Sequence, residues 1–321
     1  MKKDKIIKIG LIVAIYILVQ ALINVGIIDS YLELNIIIIG INIILAVGLN
    51  LITGFTGQFS LGHAAFMSIG AYTSAVFTAK LGLPFILAIF ASGVIAALAG
   101  ILIGIPTLRL KGDYLAIATL GFGEIIRILA LNTDYIGGAI GFNDIPKYTN
   151  WTWVYIMTVI TVVVISRFNR SYHGRACAGI KEDEIAAEFM GVNTTYYKVL
   201  AFAIGSFFAG VAGSLYTNYF YFIKPDSFGF MKSIDILVIV VFGGMGSIPG
   251  SILGAIALSV ISTFLQNIPE LRMVIYSLIL YGIMVYRPMG LMGKSEFKFK
   301  LKFKPELKKK GGRLNVSVNN K

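Results

Sequence analysis

The sequence predicts an all-α polytopic membrane helix bundle of about ten spans, with both termini cytoplasmic. Three observations carry that reading. Of the 321 residues, 57% are hydrophobic and only 14% charged, against roughly 45–50% and 25% in soluble domains. The mean hydropathy is +0.81. The apolar residues also fall into successive runs near the length a bilayer requires, about 20 residues each. A water-soluble two-domain protein, which the length alone would permit, is excluded.

The runs follow in order. Ile9–Ile28 comes behind Lys2, Lys3, Lys5 and Lys8, and the Asn24–Asp29 stretch offers no small-x-small cleavage site, so it reads as a span and not a signal peptide. Leu34–Ile52 is almost wholly aliphatic. Ser60–Ala79 is rich in Gly, Ala and Ser, which leaves a full span and a broken one both open. Phe85–Ile105 is next, then Tyr114–Leu131 with Glu124 and Arg127 inside it. Trp151–Ser166 and Val199–Thr217 enclose the polar loop 167–198. Ile234–Phe242 is short and again open to being broken, and Gly250–Leu265 and Met273–Tyr286 close the series. Trp151, Trp153 and the Asn218–Phe222 stretch sit where an aromatic belt is expected.

Basic residues set the orientation. With the N-terminus inside, 22 Lys and Arg fall on the inner side and five on the outer, which fits the positive-inside rule and an even number of spans. Residues 1–290 then form a transmembrane domain, with 167–198 as an interior loop, and 291–321 a basic cytoplasmic tail. The net charge of +12 resides mostly there: Arg287–Lys321 holds 11 basic residues and two acids. Trailing the last span, they suit anionic lipid headgroups and not nucleic acid.

Several chemistries are excluded. Cys177 is the only cysteine, so no internal disulfide forms. His63 and His173 are far apart in sequence, and no metal-ligand spacing can be written. Ser60 near His63 lacks a third group to orient the histidine, which leaves no catalytic residues to name. Gly290–Ser295 ends like a phosphate loop, but its glycine spacing is too short and no strand precedes it. No cofactor-binding residues are expected.

Four features break the apolar monotony. In Gly48–Tyr72, the residues Gly57, Gln58, Ser60, Gly62 and His63 lie at membrane depth, where small residues serve either tight packing at a helix break or a translocation path. Glu124 and Arg127, at i and i+3 near the middle of their span, either fix packing as an ion pair or take part in passage. In Val241–Leu258, Gly250 and Gly254 give a helix-contact spacing, and Phe242, Gly244 and Ser247 repeat the Phe-x-Gly-x-x-Ser spacing of Phe55, Gly57 and Ser60. The fourth is Lys181–Met190, an amphipathic helix with Ile185, Ala186, Phe189 and Met190 on one arc and Glu184 and Glu188 opposite. Glu182, Asp183 and Glu184 favour its N-terminus, and Gly191 can close its C-terminus. By pattern it is either a docking knob or a helix lying on lipid.

These stretches resemble a known family. GLNLITGFTGQFSLGHAAFMSIGAY (48–72), LKGDYLAIATLGFGEIIRI (110–128), the segment from His173 to Tyr216 and FGGMGSIPG are similar to LivM-type permeases, the membrane subunits of branched-chain amino acid ABC importers. The resemblance implies leucine, isoleucine and valine as cargo, delivered by an extracytoplasmic solute-binding protein. It implies a second, LivH-type permease, two ABC ATPase subunits that bind the ATP, and a bacterial cytoplasmic membrane. It also makes Lys181–Met190 the coupling element facing an ATPase, with Gly174, Arg175, Glu182, Asp183, Glu184, Ala186, Ala187, Phe189 and Gly191 as its residues. Gly179 and Lys181 depart from the usual Ala and Arg. Urea-type permeases share much of this pattern. An ion-coupled secondary transporter, the alternative from another class, would need midplane ion-coupling groups, for which Glu124 is the one clear candidate.

Overall fold

The structure, a computed structural model, describes residues 2–107, 112–264, 274–275, 277–278, 281–282 and 290–292. More than half of the expected tenth span, Met273–Tyr286, lies outside them, as do Arg109, Lys111 and the basic tail from residue 293. Among the described residues the architecture is all-helical, and five helices are long and apolar enough to cross a membrane.

Helix α1 (Lys2–Asn24) lies against α6 (Trp151–Arg170). The Tyr155 hydroxyl donates to the Ile12 carbonyl at 2.6 Å. Helix α2 (Ser30–Asn50) runs on through a π-helical turn at Leu51–Phe55, giving a continuous, predominantly apolar helix of 26 residues. The wide turn has a local cause: the backbone at Gly54 lies against Asn50 Oδ1 and the Gly246 amide, where any side chain would collide.

The third run is broken. Residues Gly57–Gly62 are not helical, and α3 (His63–Ala75) starts only after them, followed by a second π-helical turn, Val76–Lys80. Inside a membrane protein such a break needs partners for its freed amides. They are present: Gln58 N donates to Ile52 O at 3.1 Å, Leu61 N to Thr119 Oγ1 at 3.0 Å, and Ala64 N to Ser233 Oγ at 3.1 Å.

Helices α4 (Phe85–Thr107) and α5 (Asp113–Leu131) match their predicted runs to within two residues, and α6 extends four residues beyond its own to Arg170. The interior loop holds two helices, α7 (Tyr172–Glu182) and α8 (Glu184–Phe189), and not the single Lys181–Met190 helix expected. The break is at Asp183, whose extended backbone ends α7 while its carboxylate caps α8. Helix α9 (Thr194–Phe220) follows, then α10 (Phe230–Gly243), short as expected, and α11 (Ile248–Phe264).

Helix α9 is the centre of the bundle, and its glycines make that possible. Gly205 abuts Gly48 of α2 and Ile52 of the π-helical turn, Gly210 abuts Ser92 and Ala96 of α4, and Gly213 abuts Met67 and Ala71 of α3. Without a hydrophobic drive between helices in lipid, such close backbone approach is what binds them. Gly250 and Gly254 of α11 do the same against Gly243 and Ile239 of α10. Buried polar side chains add links: Asn42 to Ser259 at 3.0 Å, and Asn218 to Ser74 at 2.6 Å.

The end carrying α7 and α8 is called the base. The opposite end is capped by residues 132–150 and 221–229, which pair through Phe142 and Ile223. Of the expected belt residues, Trp151 and Tyr219 are buried beside that cap, while Tyr221 and Phe222 within it are exposed.

Candidate functional site

At the base, the end of α2 and the stretch joining α10 to α11 meet on one asparagine. Asn50 is fully buried at the end of α2. Its Nδ2 donates to the Ser247 carbonyl at 3.0 Å and to Ser251 Oγ at 2.8 Å, while its Oδ1 accepts from the Gly246 amide at 2.8 Å. Both amide hydrogens and the oxygen of this buried side chain are thereby directed at the α10–α11 turn and the first turn of α11, which satisfies polar groups that burial would otherwise leave unpaired. Gly244 and Gly246, with φ of 114° and 88°, allow the chain to reverse in so little space.

The second contact is Lys181, at the end of α7. Its ammonium donates to the Gly54 carbonyl at 2.5 Å, and its stem lies over Gly57, whose φ is 73°. The π-helical turn leaves carbonyls unpaired by the α-helical ladder, and Lys181 meets one of them. The third is Lys198, at the start of α9. Only 8% exposed, it pairs with Glu184 at 2.6 Å, and its own carbonyl accepts from Gln58 Nε2 at 3.3 Å. Lys181 and Lys198 therefore tie the interior helices to the break between α2 and α3.

Helix α8 is closed at both ends. Asp183 Oδ1 accepts from the amides of Ile185 and Ala186 at 2.9 and 3.0 Å. At the other end the amides of Gly191 and Val192 donate to Glu188 and Ala187 at 2.9 and 3.1 Å, with Gly191 at φ 81°. This pair of hydrogen bonds is a Schellman closure. Ala187 faces inward, and Ile185, Phe189 and Met190 face outward, Phe189 at 87% exposure. Gly174 is buried in the α6–α7 turn, where a side chain would strike the Asn169 backbone, and Arg175 is exposed. Cys177, on the buried face of α7, has its thiol pushed up to about 11 by desolvation.

The expected path residues separate into groups. Gly57 and Gln58 lie at the base with Gly244, Ser247 and the interior helices. Ser60, Gly62 and His63 climb into the bundle: Ser60 Oγ accepts from the Gly62 amide at 3.4 Å, Gly62 abuts the Thr119 carbonyl, and the buried His63 ring faces Gly48. Glu124 and Arg127 pair at 2.8 Å as their spacing predicts, but not at mid-span in isolation. Asp226, in the cap at the far end, joins Arg127 at 3.0 Å. Glu124 and Arg127 are about one-third exposed and Asp226 62%, and the tie to the cap puts this trio at the far end and not at the base.

A family model described as the branched-chain amino acid transport system / permease component matches residues 31–285. The chain belongs to that family.

Relatives of this permease include the high-affinity branched-chain amino acid transport system permease protein LivM of Salmonella typhimurium, 39% identical over 82% of this chain and 70% of that protein. LivH of Escherichia coli is 27% identical over 79% of this chain and 91% of that one. A probable LivM of Methanocaldococcus jannaschii is 26% identical over 64% and 68%. Among solved structures, a chain of PsaBC from Streptococcus pneumoniae in complex with Fab is similar at a TM-score of 0.44 and 17% identity, over 83% of this chain and 94% of that one. Neither Asn50 nor Lys198 stood out in the permease sequence. Both lie at the edges of apolar runs, where a polar residue looks like an ordinary boundary.

Proposed function

We propose that this permease is one half of the membrane channel of an ATP-driven importer, carrying leucine, isoleucine and valine that an external binding protein delivers. ATP is bound by partner subunits, and α7–α8 is the surface on which an ATPase acts. The observation that carries the reading is the build of α8: a rigid, doubly capped element, tied to the bundle by Lys198, that turns Phe189 and Met190 outward. A force-transmitting contact needs all three properties. A helix resting on its own bundle would instead bury Phe189.

The similarity of one chain to both LivM and LivH supports pairing with a second, related permease. The charge asymmetry of the loops supports an even number of crossings, ten by the apolar runs, with α7–α8 on the cytoplasmic side of the cytoplasmic membrane. The test is uptake by cells dependent on the binding protein. Leucine, isoleucine and valine should be accumulated, and urea should not. Accumulation of urea without leucine would overturn the cargo assignment.

A further inference from the structure

A cavity of about 230 Å³ opens at the base, between the end of α6 and the start of α11. One wall is apolar, made by Phe55, Val162, Ile248, Pro249 and Ile252. The other carries Ser166 and the exposed Arg170, and no carboxylate lines it among the described residues. Arg175 Nη1 donates to the Arg170 carbonyl at 3.3 Å, which holds a second guanidinium at the same end of α6. Arg167, also exposed, lies one turn back. Toward the middle of the bundle both neighbouring helices turn bulky aliphatic side chains outward, Val163 and Val164 on α6 and Leu253 and Ile256 on α11.

Guanidinium groups beside an apolar slot suit a phosphate that carries a hydrocarbon tail. Arginine meets phosphate oxygens through its planar fork, and basic pockets between membrane helices take anionic headgroups. A zwitterionic headgroup would bring an ammonium to a site without a carboxylate to receive it. A free phosphate would leave the apolar wall unused. A helix of a second permease approaches closely only over small residues, and the flanks here are Val, Leu and Ile. The volume is below the roughly 300–1,000 Å³ of sites for drug-sized ligands, which suits a headgroup whose chains lie outside along the flanks. We infer that this cavity binds the headgroup of one anionic phospholipid, its phosphate at Arg170 and its chains between α6 and α11. The bound lipid would bear on Ser247 and Phe55, so it braces both the turn that Asn50 holds and the π-helical turn. The inference depends on neither the cargo nor the ATPase contact proposed above.

The test is native mass spectrometry of the full chain in detergent, titrated with phosphatidylglycerol or phosphatidylcholine of identical chains. The first phosphatidylglycerol should bind at least tenfold more tightly than the first phosphatidylcholine. Glycerol 3-phosphate, which has no chains, should not displace it at equal concentration. Arg170→Gln removes the phosphate partner, and Ile252→Trp fills the slot without changing the charge; each should weaken that first lipid at least fivefold. Arg170→Lys keeps the charge and should hold it within threefold, which separates a lost contact from a lost fold. Lys300→Gln, an equal loss of charge in the basic tail, should change it less than twofold. Equal affinity for the two lipids on the parental chain would overturn the site, as would displacement by glycerol 3-phosphate. So would an effect of Lys300→Gln as large as that of Arg170→Gln, or binding unmoved by both cavity variants. Dimers that either cavity variant returns to monomers would make the cavity a contact between permeases and overturn it too.

Discussion

Phe189 has the most exposed position of any large side chain in α8, one position from the C-terminal cap of that helix. Aromatic anchors of this kind dominate protein interfaces when they enter a partner's pocket. A carboxylate buried there without a counter-charge costs several kcal/mol. Phe189→Asp is therefore expected to abolish co-purification of the ATPase and transport together, while the permease still inserts. Glu188→Gln, an exposed neighbour, should change ATPase capture by less than threefold, since an exposed charge contributes roughly 0–1 kcal/mol. Detergent pull-down beside uptake measures both, and full capture by Phe189→Asp would make α8 a lipid-surface helix. Cys177 makes a different prediction. The thiolate is the reactive form, and with its pKa raised to about 11 roughly one thiol in a thousand is ionised at pH 8. Maleimide should label the native permease slowly and the denatured one at once; rapid native labelling would mean that α7 opens.

Helix α8, six residues long, is far below the length at which a helix holds itself together. Its order comes from outside: the Asp183 cap, the Gly191 closure, Ala187 packed inward and the Glu184–Lys198 pair. Asp183→Ala frees two amides at once and should cost about 1 kcal/mol of local order, weakening ATPase association severalfold. Gly191→Val should weaken it further, because a β-branched residue at positive φ is strained. Equal affinity in both variants and the parent would show that the partner itself orders α8. In the membrane, Gly213→Val tests the other kind of element contact. Its side chain would enter the Met67 backbone on α3, and overpacking of 1–3 kcal/mol or more should lower the detergent unfolding temperature by several degrees.

These elements also show what could be read in advance. The ends of α4 and α5 were legible because lipid demands apolar length and punishes polar backbone, so composition alone marks where a helix must stop. The division at Asp183 was not, since a 3.6-residue period continues through a capping aspartate as though it were ordinary surface. The Lys198–Glu184 and Arg127–Asp226 pairs join residues that only folding brings together. Lys198 looked like one more loop cation.

On the scale of the whole molecule, the described residues make one bundle whose exposed apolar faces, on α4 and α5 above all, exceed what a lone soluble body tolerates. Lipid or a second permease covers them in the proposed assembly. An importer half has neither the engine nor the second wall of its channel. Liposomes holding this chain alone should thus neither hydrolyse ATP nor accumulate leucine, whatever the nucleotide supplied. Accumulation driven by a sodium or proton gradient would replace the proposed function with ion-coupled transport.

The tie between Lys181 and the Gly54 carbonyl sets the character of any motion passed through it. Helix α7 has 11 residues, which makes it a lever about 16 Å long. A tilt of only ten degrees sweeps its tip through about 3 Å, more than a hydrogen bond can stretch before it is gone. The joint therefore holds only for tilts that the flexible Lys181 stem can follow, and a larger tilt would free the break after α2 from α7.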